Sequence, residues 1–188
     1  MGSNNKMNNF KVSMCLKAVT GTVALIAGLI ILQSCSYSFT GASVPAHLKS
    51  ISIPVFSDKS GSGEFDLNRN ITNKLIQKFI DDNTLQIGTM QNANSVLEGT
   101  ISGLSDSFSV VSGGDKVTTR RITITVRAVY KDLVKKTTVF QREFSNYSDY
   151  PTVDFPPGDD ITSVRKKAIE SAIDKITEDI LLGVVSNW

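Results

Sequence analysis

From Ile122 the chain alternates. Ile122, Ile124, Val126, Ala128 and Tyr130 take every second position, with Thr123, Thr125 and Arg127 between them. Period two with β-branched residues predicts a central strand that has one buried and one solvated face. Two further stretches frame it. Val96 to Val111 reads as a strand with Leu97 and Ile101 on one face, and Val139 to Phe144 as the last strand, with Phe140, Arg142 and Phe144 on one face. Ser112-Gly113-Gly114-Asp115 predicts the hairpin turn of the first pair, and a turn within Asp132 to Lys136 joins the second. Gly99 and Gly103 imply either a bulge or room for something packed above the strand. Earlier in the chain Ile51, Ile53 and Val55 alternate with Ser52 and Pro54, a strand whose proline marks an edge or its end, and Leu85 with Ile87 makes a short one.

Two segments change to a helical period. Leu67, Ile71, Leu75 and Phe79 fall four apart, with Ile76 and Ile80 on the adjoining row and Arg69, Asn73, Lys74, Gln77 and Lys78 opposite. Asp66 suits the start of this helix and Lys78 its end. Asp81-Asp82-Asn83 stops it. The second helix begins at Asp159 or Asp160, either of which can cap it, and runs through Ile161, Val164, Ala168, Ala172, Ile176, Ile180 and Val184, widened by Ile169 and Ile173. Its basic start, Arg165-Lys166-Lys167, reads as a solvated face or as a contact for anionic groups. Ser57 to Gly63 is expected to be a flexible loop. Residues 145–160 are expected to be irregular, with Tyr147, Tyr150 and Phe155 either packed down or forming an interaction surface. The sum is an α+β fold: an antiparallel or mixed sheet of four to five strands with two amphipathic helices packed on one face.

The N-terminal segment is of another kind. Lys6, Lys11 and Lys17 precede a 14-residue run, Val19 to Leu32, broken only by Thr and Gly, and no acid precedes Cys35. That is a basic region and a short apolar region of a secretory signal, too short for a spanning helix of about 20 residues. Leu32-Gln33-Ser34-Cys35 resembles the signal of a bacterial lipoprotein, which implies cleavage before Cys35 and acylation of its thiol. One acyl chain holds a protein only marginally, and several hold it stably. The expected organisation is a signal peptide over 1–34, a lipidated tether over 35–49 and one domain over 50–188.

This division changes the electrostatic picture. The whole chain has 20 Lys+Arg against 18 Asp+Glu, but residues 1–34 hold three lysines and no acid. The remaining 154 residues carry 17 against 18, a net charge of −1, which gives no footprint for nucleic acid. Cys15 leaves with the signal and Cys35 is used by lipid, so no disulfide or thiol chemistry is expected in the domain. The only histidine is His47, read as an exposed polar residue beside Pro45, so neither a zinc site nor a Ser-His-Asp mechanism has its residues. No catalytic residue, metal or cofactor is expected.

Several stretches together have a familiar order: Cys35-Ser36-Tyr37-Ser38-Phe39-Thr40-Gly41, Ile51 to Phe56 and the helix after it, and Leu97-Glu98-Gly99-Thr100-Ile101. Arg121 to Val126, Phe144 to Asp149 and the closing Asn187-Trp188 continue it. In these the chain resembles the LptE family of lipopolysaccharide-assembly lipoproteins. The resemblance implies a non-enzymatic outer-membrane lipoprotein, lipid-anchored and periplasm-facing, that sits as a plug inside an LptD-like β-barrel. With that barrel it would deliver lipopolysaccharide to the outer leaflet. On chemistry alone, Lys116, Arg120 and Arg121, which flank the Gly113-Gly114 turn, are the candidate contacts to lipopolysaccharide or to the barrel, because guanidinium groups match phosphate and carboxylate. The alternative is a periplasm-facing lipoprotein that binds a small ligand or supports the cell envelope.

Overall fold

The computed structural model describes residues 44–109 and 119–186. Cys35, Lys116, the Gly113-Gly114 turn, the signal segment and Asn187-Trp188 lie outside the described residues. In chain order the elements are β1 (Ser50–Ser52), β2 (Ser57–Asp58), α1 (Leu67–Asp82), β3 (Gln86–Ile87), β4 (Ser95–Phe108), β5 (Thr119–Asp132), β6 (Thr137–Pro151) and α2 (Ile161–Val185).

The sheet order is β3-β1-β4-β5-β6, with β2 pairing β4 off that path. β4, β5 and β6 form an antiparallel meander, as the alternation predicts. The other half is parallel, which makes the sheet the mixed one of the two expected forms. β1 runs parallel to both β3 and β4, because α1 carries the chain back across the sheet between β1 and β3. The sheet is therefore mixed and has six strands. The extra one, β2, lies in the stretch expected to be a loop, where Ser57 and Asp58 pair with Thr100 and Ile101. β6 also runs to Pro151, well past Phe144, so residues 145–151 are strand and not irregular.

The core is single. Ile122, Ile124, Val126, Ala128 and Tyr130 of β5 are all fully buried, as are Ile71, Leu75 and Phe79 of α1 and Ala172, Ile176 and Ile180 of α2. Both helices thus cover the even-numbered face of β5. Ile80 and Ile161, placed on apolar stripes by their spacing, are exposed. Lys78 Nζ bridges the helices, 2.8 Å from Glu178 and 3.2 Å from Asp174. It serves as an interhelical clamp and not as a dipole partner.

The helix ends follow local chemistry. Asp160, not Asp159, caps α2, in a reciprocal box: its Oδ1 accepts from Ser163 N–H at 2.8 Å, and Ser163 Oγ accepts from Asp160 N–H at 2.9 Å. Asp66 takes a left-handed conformation and makes no side-chain cap bond to α1. Asn83 ends α1 in the left-handed region, its N–H donating to Phe79 C=O.

Both readings of the strand glycines are realised, one at each position. The register shifts between Ile101 and Gly103, which is the bulge. At Gly99 the Phe56 ring lies where a Cβ would be. Phe56 is held from the other side too, because its N–H donates to Thr72 Oγ1 at 3.0 Å, and Thr72 Oγ1 donates to Asn68 C=O.

His47 is not the exposed residue expected. Its Nε2 lies 2.6 Å from Oδ2 of Asp132, which is 3% exposed. Asp132 Oδ1 accepts the N–H groups of Val134 and Lys135, both at 2.9 Å. Burial pushes this carboxyl up, but His47 and the two backbone donors outweigh it and hold it below the usual carboxylate range. Beside it, Asn94 Oδ1 accepts from Lys49 N–H and Ser50 Oγ, and Leu48 is buried. Residues 45–49, within the expected tether, are therefore fixed to the domain.

Candidate functional site

Arg120 and Arg121 are consecutive on β5, so their side chains leave opposite faces of the sheet. Arg120 continues the inward row of Ile122 and Ile124. Its Nε donates to Asp106 Oδ1 at 2.8 Å and its Nη2 to Asp106 C=O at 3.1 Å, with the guanidinium 4.7 Å from the centre of the exposed Phe108 ring. Arg121 lies on the opposite face, which no described element covers. It grips Asp149 with two bonds, 2.7 and 2.9 Å, and stacks 3.7 Å from the centre of Tyr147. The two arginines do not converge on one point. Each uses Nε and Nη2 in these bonds.

Asp106 is the centre of a larger cluster that sequence reasoning missed. Tyr150 O–H donates to both its oxygens, at 2.9 and 2.8 Å, and Arg165 Nε donates to Oδ2 at 3.0 Å. Arg165 Nη1 then reaches Glu64 Oε2 at 3.0 Å. Five segments meet here: the turn before α1, β4, β5, β6 and α2. Arg165 is therefore an internal clamp rather than part of a solvated face, and Lys167 is likewise bound to Asp159. Lys166 lies at the rim of the groove between the helices. Of the aromatics at 147–155, Tyr150 is buried, Phe155 packs on the core, and Tyr147 is exposed beneath Arg121. A signal was present in the sequence. Asp106, Arg120 and Arg165 are charges at the ends of three apolar rows, and opposite charges ending facing rows pair across them.

Partial burial pushes Asp106 up, and the bonds from Arg120, Tyr150 and Arg165 outweigh it, so the carboxyl sits below its ordinary value. A carboxyl depressed in the folded state stabilises above its unfolded pKa, about 3.9. That stability is lost as pH falls through the folded pKa. Acid titration followed by circular dichroism is expected to show loss of stability beginning below about pH 4. Asp106→Asn is expected to be less stable at neutral pH and to show a weaker acid dependence. An unchanged acid limb in that variant would show that Asp106 does not carry it.

A groove of about 690 Å³ lies between α1 and α2, with Leu67, Ile169 and Ile173 inside and Lys74, Lys166 and Glu170 at its rim. Among the described residues no group of three or more His, Cys, Asp and Glu could hold a metal ion. Among the same residues no helix is long and apolar enough to cross a membrane.

This two-helix, mixed-sheet architecture recurs in solved structures. A Xanthomonas campestris protein of family DUF330 is 12% identical, with 77% of this chain and 90% of that one covered and a TM-score of 0.52. It shares the fold. A minor lipoprotein from Acinetobacter baumannii is 14% identical, with 73% of this chain and 90% of that one covered and a TM-score of 0.47. The rare lipoprotein B of Shewanella oneidensis is 13% identical, with 70% and 92% covered and a TM-score of 0.45. No curated protein sequence matches the chain. Residues 48–182 match the model of the LptE family, described as lipopolysaccharide-assembly, and the chain belongs to that family.

Proposed function

We propose that this protein is an outer-membrane lipoprotein, anchored through acyl chains on Cys35 after loss of residues 1–34. Facing the periplasm, it plugs and helps assemble an LptD-like β-barrel and assists delivery of lipopolysaccharide to the outer leaflet. It does so without catalysis, as a binding partner. The family match over residues 48–182 carries this reading. The uncovered sheet face supports it. Ser105, Thr123 and Tyr147 lie side by side across β4, β5 and β6, as do Thr100, Arg127 and Glu143, and Thr125 Oγ1 is 3.2 Å from Ser145 Oγ. A hydroxyl-rich, mixed-charge surface suits the polar interior of an outer-membrane barrel. The groove between the helices favours a second reading, a lipoprotein that carries a small ligand.

Purification in mild detergent followed by mass spectrometry separates the two. The plug is expected to bring down a barrel of much larger mass and to begin at an acylated Cys35. Recovery of the acylated chain without any barrel would leave only the second reading.

Lys116, Arg120 and Arg121 are proposed as contacts to anionic groups of lipopolysaccharide or to acidic residues of the barrel. In the double variant Arg120→Ala/Arg121→Ala we expect weaker lipopolysaccharide binding or poorer barrel recovery. The circular dichroism spectrum is expected to be retained with some loss of stability: the exposed Arg121–Asp149 pair contributes little, whereas loss of Arg120 removes one of the bonds that hold the half-buried Asp106, which keeps those from Tyr150 and Arg165. Unchanged binding together with unchanged recovery would remove both arginines from the site.

A further inference from the structure

The two edges of the sheet are built differently. At one end is β3, two residues long, too short to accept another strand. At the other is β6, fifteen residues long, paired with β5 on its inner side and with no strand on its outer side among the described residues. A long free edge invites pairing, and proteins ordinarily blunt it with proline, bulges or lysine. β6 has no proline before Pro151, and its one irregularity lies near the turn, between the partners of Tyr130 and Lys131.

The direction of the backbone groups follows from Tyr147. Its N–H is taken by Asn146 Oδ1 at 2.8 Å and its C=O by Lys175 Nζ at 3.0 Å. Tyr147 therefore turns its backbone groups away from β5. By the alternation of an antiparallel ladder, Gln141, Glu143 and Ser145 do the same, and β6 keeps continuous register through them. Asn146 and Lys175 close the edge at Tyr147, and among the described residues no partner is seen on the outward backbone groups of the other three. N–H and C=O groups repeating every two residues, about 6.8 Å, are matched by another extended polypeptide. A lipid or sugar has no such repeat.

The flanks state what kind of strand fits. On the helix side of the edge are the half-buried Phe140 and Phe144, joined by Arg142, whose guanidinium lies 4.7 and 4.9 Å from their ring centres. Leu182 of α2, 49% exposed, is the neighbour of Gly183, which touches Phe144. On the open side are Gln141, Glu143 and Ser145. We infer that the outer edge of β6 receives an extended, amphipathic segment of the barrel partner by strand addition. Its apolar side chains lie toward Phe140, Phe144 and Leu182, and its polar ones toward Gln141, Glu143 and Ser145. The inference rests on the plug reading for the identity of the partner.

The test is amide hydrogen exchange on the full chain, alone and in the complex co-purified with its barrel, with the mass of each species measured in line. Amides within Gln141–Ser145 are expected to exchange at least about tenfold slower in the complex, while those of β5 stay equally protected in both. A Ser145→Pro variant removes an outward N–H and leaves the ladder to β5 intact. It is expected to keep its circular dichroism spectrum and to lower barrel recovery. If that variant fails to fold, the exchange measurement on the unaltered chain decides alone. A barrel complex whose β6 amides exchange as in the free chain overturns strand addition and leaves the plug reading standing. Protection in a species with the mass of two copies, without barrel, assigns the edge to self-pairing and overturns the proposed partner. Absence of any barrel overturns both.

Discussion

Replacing Ile124 by Ala is expected to cost about 2–5 kcal/mol in equilibrium denaturation. That is a large share of the roughly 5–15 kcal/mol that holds a typical domain together. Ile124 is fully buried at the middle of β5, paired with Leu104 on one side and Asn146 on the other. It belongs to the same cluster as Ile71 and Leu75 of α1 and Ala172 and Ile176 of α2. A sheet fixed by ladders on both sides and a roof fixed by two helices cannot collapse fully around a missing side chain, so a cavity term adds to the lost burial. The midpoint in urea should fall with the slope unchanged, which marks a change in stability and not in compactness. A loss below about 0.5 kcal/mol, the size of an ordinary surface change, would show that this face is not the core.

Gly99→Ala tests the other side of packing. A Cβ there would fall 2.2–2.4 Å from three atoms of the Phe56 ring. The ring is buried among core side chains, so it can turn aside only by displacing them. Overpacking of this kind costs about 1–3 kcal/mol, occasionally more. Gly103→Ala is the matched control, since a Cβ at Gly103 meets no atom within 4 Å. Its effect should stay within about 0.5 kcal/mol. Equal losses at both glycines would mean that backbone freedom, and not the Phe56 ring, is what Gly99 provides.

These two sites also show where the sequence was informative. β5 was legible because its burial is one-sided and apolar, so its alternation is a direct record of its environment. The helices were legible for the same reason at a period of 3.6. The second half of β6 was not. Its inward residues are Asn146, Ser148 and Tyr150, and two of them are held by hydrogen bonds, Asn146 to Asp179 and Tyr150 to Asp106. A strand buried through polar bonds leaves no hydrophobic period. β2 and β3, two residues each, are too short to have one. The glycines of β4 announced something close, but only the fold could name Phe56 as the object at Gly99. For the candidate site, residue type picked out Arg120 and Arg121. Their carboxylate partners, Asp106 and Asp149, come from other strands and required the register. His47 was misread because its partner, Asp132, is 85 positions away.

The His47–Asp132 pair has a mechanical meaning. The chain enters the fold through residues 45–49, and Asp132 stands at the β5–β6 turn. A pull arriving from the N-terminal side would load the His47–Asp132 bond and the Asn94 contact to Lys49 ahead of β1, while the second Asn94 contact, to Ser50, pins the first residue of β1 itself. β1 is three residues long and would peel easily on its own. Were the domain held by its N-terminal segment, as proposed, these bonds would share a load that otherwise falls on β1 alone.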